Sequence, residues 1–190
     1  MKTLLLLIFS PKKGALNFQN RFRDDLYKEG MFLAFLYGIV HALRPLEIFN
    51  NQDHLMFPRA LGKIWEICLY LLTFMVLSFI IYKIGQFFKG NANYKETFAL
   101  LMYTYFPIFC CGLFLDFLNN PYLYNFEFNT NLFKASIFIL SWLLSIRALL
   151  IGIKKIYDLN LKKAFITILP ILIPLLGVVT MSIYLHELYF

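Results

Sequence analysis

Residues 64–84 read I-W-E-I-C-L-Y-L-L-T-F-M-V-L-S-F-I-I-Y-K-I, and only Glu66 and Lys83 among them carry charge. At 1.5 Å rise per residue, a helix of this length covers about 30 Å, the depth of a bilayer's hydrocarbon layer. Its two charges sit toward the ends and Trp65 at the entrance, where a membrane helix tolerates them. No polar face runs along it, so it is not the half-buried helix of a soluble domain. The stretch makes this chain an all-α integral membrane protein.

The same texture recurs on both sides. About 97–118 is apolar, with Pro107 near its middle and Asp116 near its end; about 132–153 carries Lys134 and Arg147 toward opposite ends; 164–185 has no charge but holds Pro170, Pro174 and Gly177. Upstream, Met31 to Leu43 is apolar apart from His41, and then Arg44-Pro45-Leu46-Glu47 intervenes before Ile48-Phe49. Thirteen residues reach only about 20 Å. The first span is therefore read to about 49, with Arg44 and Glu47 snorkelling; partial burial by neighbouring helices is the other solution. The expectation is a five-helix transmembrane bundle over about 31–49, 64–84, 97–118, 132–153 and 164–185. Breakers separate the spans at Gly90-Asn91, Asn119-Asn120-Pro121 and Asp158 to Asn160. With 190 residues, 60% hydrophobic and 15% charged, the chain leaves no room for a soluble catalytic domain; soluble domains carry about 25% charge.

Residues 1–30 form a polar, basic arm with an apolar start. Leu4 to Phe9 imitates a signal peptide, but Ser10-Pro11-Lys12-Lys13 follows and no small-residue cleavage site appears, so it is read as retained. Phe18, Phe22 and Leu26 recur at i, i+4 and i+8, which predicts an amphipathic helix over 15–28 lying in the membrane interface. Packing of that helix on the bundle is the alternative.

Lysine and arginine sort onto alternate connections. The arm holds six, the region 83–95 three and 147–163 five, which is fourteen of the eighteen; Arg44, Arg59, Lys63 and Lys134 fall on the other side. By the positive-inside rule the amino terminus is cytoplasmic and the carboxyl terminus outside. The net charge of +7 is spent on these flanks, which argues against nucleic acid as a partner. The bilayer is the partner expected, with other membrane proteins or self-association beside it.

No residue pattern spells out a reaction. His41, His54 and His186 lie far apart, Cys68, Cys110 and Cys111 sit in apolar runs as small hydrophobes, and the common nucleophile, zinc and phosphate motifs are missing. Catalytic residues, a metal and a cofactor are therefore not expected, and the chain reads as a non-enzyme. Glu66, Asp116 and Lys134 each lie about two residues inside the outer ends of spans two to four. They form a candidate intramembrane polar cluster, with Asp116 pairing to Lys134 and Glu66 turning to Arg44, Arg59, Lys63 or water. Such groups are either a structural ion pair or a substrate site. The prolines of spans three and five keep a small permease or channel subunit as the alternative function.

The stretch from Gly85 reads G-Q-F-F-K-G-N-A-N-Y-K-E-T-F-A-L-L-M-Y-T-Y-F-P. A glycine-bounded turn with Gly85 and Gly90 leads to Tyr94, Phe98, Tyr103 and Pro107. This resembles the Yip-one domain family, Rab-interacting multi-pass membrane proteins and their bacterial relatives. The opening S-P-K-K-G and the run from Trp142 through Arg147, Gly152 and Tyr157 to Lys163-Ala164 agree with it. The resemblance implies a non-enzymatic scaffold of membrane organisation or trafficking in the cell membrane, or an endomembrane in a eukaryote. Asp25-Leu26-Tyr27 begins the family's D-L-Y-G-P-type motif, but Lys28-Glu29 follows, and the cytoplasmic arm is short. That departure argues against a Rab-type GTPase partner and for a prokaryotic member.

The charge count yields a first prediction. In a cysteine-free background, single cysteines placed in 154–163 will be shielded from an impermeant outside reagent, and those in 119–131 will react. The reverse pattern would overturn the topology.

Overall fold

The computed structural model describes residues 2–43, 59–118 and 130–172. Its helices are α1 (Lys2–Phe9), α2 (Pro11–Gln19), α3 (Arg23–Leu43), α4 (Arg59–Phe87), α5 (Tyr94–Leu118) and α6 (Thr130–Ile156), followed by α7 (residues 161–172). No strand occurs among the described residues.

Three helices are long and apolar enough to cross a membrane: Leu61–Phe87, Tyr94–Leu115 and Phe133–Ile156. They coincide with the spans expected at 64–84, 97–118 and 132–153. The other two expected spans are described only in part, 31–49 as far as residue 43 and 164–185 as far as residue 172. Within α3 the first turns are polar, with Arg23, Asp24, Asp25, Lys28 and Glu29. Acidic side chains there favour a helix start, because the unsatisfied N–H groups make that end positive.

Helix α5 is the hub. It packs against α6, α3 and α4 and touches α1. Thr97, Phe98, Ala99, Leu100, Leu101, Met102, Tyr103 and Thr104 are all buried, two full turns with no free face. Helix α4, by contrast, turns Trp65, Leu69, Leu72, Val76 and Phe79 outward, the apolar surface that lipid covers. Two small residues bring the neighbours close to the hub. A Cβ on Gly30 would lie 3.0 Å from Ala99 Cα, and one on Gly152 would lie 2.6 Å from Leu100 Cδ1.

The arm departs from the expected single helix over 15–28. Helix α2 stops at Gln19, residues 20–22 turn, and α3 starts at Arg23, continuing without a break past residue 30. The spacing of Phe18, Phe22 and Leu26 therefore does not act as one face. Phe18 and Leu26 are buried in the common core, while Phe22 is 82% exposed. The turn swings the Arg21 side chain back onto α3, an interaction that one straight helix could not make across eight positions. Upstream, Pro11 opens the first turn of α2, where its missing N–H costs nothing. Gly14 then lets α1 fold back onto α2, since a Cβ there would sit 2.4 Å from Leu7 N. Leu4, Leu7 and Ile8 of α1 join the core, so the apolar start of the chain is part of the fold.

Gly14 and Gly62 give a test with opposite signs. Gly14→Ala meets backbone that cannot move aside and should cost about 1–3 kcal/mol, the range for overpacking. Gly62→Ala in α4 meets nothing within 4 Å and should gain up to about 1 kcal/mol from helix propensity. Thermal unfolding in mild detergent checks both; equal behaviour of the two variants would refute the close α1–α2 approach.

Candidate functional site at the basic end of the bundle

The arm, the α4–α5 turn and the α6–α7 turn, three segments the basic residues had marked, meet at one end of the molecule. Both turns are built alike. At the end of α4, Gly90 N donates to Gly85 O at 3.0 Å and Lys89 N to Gln86 O at 2.8 Å, with Lys89 at φ 61°. At the end of α6, Leu159 N donates to Lys154 O at 3.0 Å, with Asp158 at φ 54°. These are Schellman closures that satisfy the last carbonyls, made here with Lys89 and Asp158 in the left-handed position usually left to glycine. Asn93 then caps α5: its Oδ1 accepts from Glu96 N at 3.1 Å, and Glu96 Oε2 accepts from Asn93 N at 2.9 Å, a capping box. Asn160 Oδ1 accepts from Lys163 N at 2.9 Å and opens α7.

Tyr157 locks the two turns together. Its ring fills the space beside Gly85 and Gly90; a Cβ at either would come within 2.2 Å and 2.5 Å of ring carbons. The Tyr157 hydroxyl is hydrogen-bonded to Thr97 Oγ1 of α5. Its carbonyl accepts from Asn91 N at 3.3 Å. The glycines of the family-like turn therefore serve as a socket for an aromatic ring some seventy residues away.

A charged layer sits beside the socket. Arg21 makes a two-pronged ion pair with Glu29, one prong from Nη1 to Oε2 at 2.8 Å, and Tyr103 OH donates to the same carboxylate. The Tyr103 ring also meets Phe18 edge-on at 5.8 Å. The hydrogen bond from Arg21 holds the Glu29 carboxyl down at about 2, against a partial opposing effect of burial. The same bond pushes the Arg21 pKa further up. Arg23 Nε donates to Glu96 Oε1 at 2.9 Å, and Lys95 Nζ to Asp24 Oδ1 at 2.6 Å, which lowers the Asp24 pKa. Gln19 Nε2 reaches Lys155 O at 2.9 Å. Between these groups opens a polar cleft of about 440 Å³ lined by Gln19, Arg23, Asn91, Glu96, Lys155 and Asp158.

The remaining residues singled out from the sequence fall as follows. Tyr94 lies over Tyr82 and Phe98, its hydroxyl 3.4 Å from Met75 O. Phe98 is fully buried against Tyr27. Pro107 lies inside α5. Glu66 pairs with Lys63 of its own helix at 3.3 Å, one of the partners anticipated for it. Lys134 is half-buried near the start of α6, while the side chain of Asp116 lies outside the described residues, and with it the expected Asp116–Lys134 pair. In α7, Thr167 Oγ1 donates to Lys163 O at 2.8 Å. Deeper in the bundle Tyr70 and Tyr105 share a hydroxyl hydrogen bond of 2.7 Å, with His41 stacked on Tyr70. Among the described residues no group of three or more His, Cys, Asp or Glu side chains gathers as a metal site.

Sequence reasoning missed the Arg21–Glu29–Tyr103 cluster, because its members belong together only once the chain turns at 20–22. The one available signal was Asp24-Asp25, a helix start placed inside the predicted helix.

The cluster makes stability depend on pH. Glu29 ordinarily titrates at 4.5 and is held at about 2 in the fold. Its contribution is therefore complete above pH 4.5 and is lost as pH falls through about 2. Glu29 is 41% exposed, so screening leaves about 1 kcal/mol, below the usual range for hydrogen bonds to charged groups. Glu29→Gln should lower the unfolding midpoint at neutral pH and flatten the acid decline. An unchanged midpoint and profile would refute it.

Comparison with known proteins places this packing in a family context. No curated protein and no solved structure matches the chain. The Yip1 domain model matches residues 5–183, from α1 through the socket and past α7. Arm, hub and socket are thus all part of one domain, and the chain belongs to the Yip1 domain family.

Proposed function

We propose that this Yip1 domain protein is a membrane-organising, trafficking-type scaffold without catalytic activity, acting through helix packing, lipid contact and partner proteins. The observation that carries it is the state of the basic end. Three of its carboxylates, Asp24, Glu29 and Glu96, are each bound to a cation from another segment of the chain, which favours an architectural role for them. In this reading the arm is cytoplasmic, the carboxyl terminus lies outside, and the host membrane is the cell membrane of a prokaryote. Partners are other membrane proteins or further copies of the chain, and the missing Gly-Pro after Asp25-Leu26-Tyr27 argues against a Rab-type GTPase.

A small permease is the second reading. Pro107 in the hub helix and the partly buried row of His41, Tyr70 and Tyr105 favour it, because hydroxyls and a proline-bearing helix together can line a path.

Crosslinking in intact membranes, followed by mass spectrometry, separates them. The scaffold reading expects reproducible membrane-protein or self-crosslinks and no solute flux in proteoliposomes. A lone monomer with measurable flux that Tyr105→Phe reduces would replace it with the permease.

A further inference from the structure

The polar cleft at the basic end lies where the membrane-crossing helices stop. Tyr94 opens the span of α5, Ile156 closes that of α6, and Phe87 closes that of α4; Ile156 itself lines the cleft. Its depth is therefore that of the lipid headgroups. Its walls are amphoteric, with Arg23 and Lys155 as cations, Glu96 and Asp158 as anions, and Gln19 and Asn91 as amides. Arg23 meets Glu96 through Nε alone, and a guanidinium has four further N–H donors. Lys155 and Asp158 form no ion pair among the described residues and are exposed.

We propose that this cleft binds the headgroup of an ethanolamine phospholipid. The phosphodiester takes the free guanidinium edge of Arg23 and the Lys155 ammonium, the arrangement that suits a planar fork and a point charge. The lipid's own ammonium donates to Asp158, with Asn91 within the same wall. A choline headgroup carries the same charge but has no N–H to donate. A glycerol headgroup has no cation to offer Asp158. The cleft volume of about 440 Å³ leaves room for a headgroup, while the acyl chains run down the outward apolar faces of the spans. This assignment stands apart from the scaffold reading, since a permease would meet the same lipid at the same depth.

Native mass spectrometry of the full chain from micelles holding equal amounts of ethanolamine, choline and glycerol phospholipids tests it. The ethanolamine lipid should be retained about ten-fold over the choline lipid, the order of one charge-assisted hydrogen bond. Asp158→Asn should erase that preference. Asparagine tolerates the left-handed backbone at this position, so the variant isolates the charge. Lys155→Gln should lower retention of both zwitterionic lipids alike, and Lys63→Gln, at the opposite end of α4, should change nothing. Equal retention of ethanolamine and choline lipids by the wild type would overturn the proposal. So would a preference that survives Asp158→Asn. Thermal stabilisation by soluble glycerophosphoethanolamine, without lipid retention, would reassign the cleft to a free headgroup ester and overturn the lipid assignment.

Discussion

The bundle depends on one aromatic ring seated against two glycines. Without a hydrophobic force between helices in lipid, association rests on close contact and hydrogen bonds between helices. Tyr157 supplies both: its ring occupies volume that any side chain at Gly85 or Gly90 would take, and its hydroxyl reaches Thr97. Because Tyr157 follows α6, Gly85 lies in the last turn of α4 and Thr97 in the first turn of α5, a single side chain ties together the ends of all three long helices. The Schellman closures at Lys89 and Asp158 aim the two turns at each other. Lys89 and Asp158 in the left-handed position cost about 1 kcal/mol each, a strain offset by the carbonyls they satisfy.

Hydrophobic length told most of the fold. Spans of twenty or so apolar residues can only be helices, because lipid offers no partner for an open backbone, and the three long helices fall where that argument put them. Breaker residues located the turns for the same reason. The arm was illegible because its pattern was ambiguous in kind. Phe18, Phe22 and Leu26 fit one helical face, and nothing in the spacing shows that the chain leaves the helix at Asn20, exposes Phe22 and returns. Tertiary pairing of Arg21 with Glu29 overrode local periodicity.

The candidate site was legible in part and for a different purpose. Gly85, Gly90, Tyr94, Phe98 and Tyr103 could be picked out as a resemblance, yet their task required the partner residue Tyr157, which the sequence places far away. Polar cluster reasoning looked to the outer ends, at Glu66, Asp116 and Lys134, since isolated charges inside spans catch attention. The basic end hides its charges among lysines and arginines that the sequence marks only as span flanks. A basic residue that orients a span and one that closes an interhelical ion pair are the same letter, and only the neighbouring helix distinguishes them.

These two layers have different consequences for function. Socket and hub are filled with side chains, and Phe98, Met102 and Tyr157 are each buried to within 1%, so this layer can transmit position. The charged layer is different, because its pairs are partly exposed and individually weak. Arg23 is 62% exposed while bound to a carboxylate that is 14% exposed. Such a pair holds an acid in place while leaving most of the cation for a second anion. The fold therefore divides into a rigid frame and an adaptable polar rim. It follows that substitutions in the socket should disturb folding, whereas those in the rim should disturb what the folded protein binds.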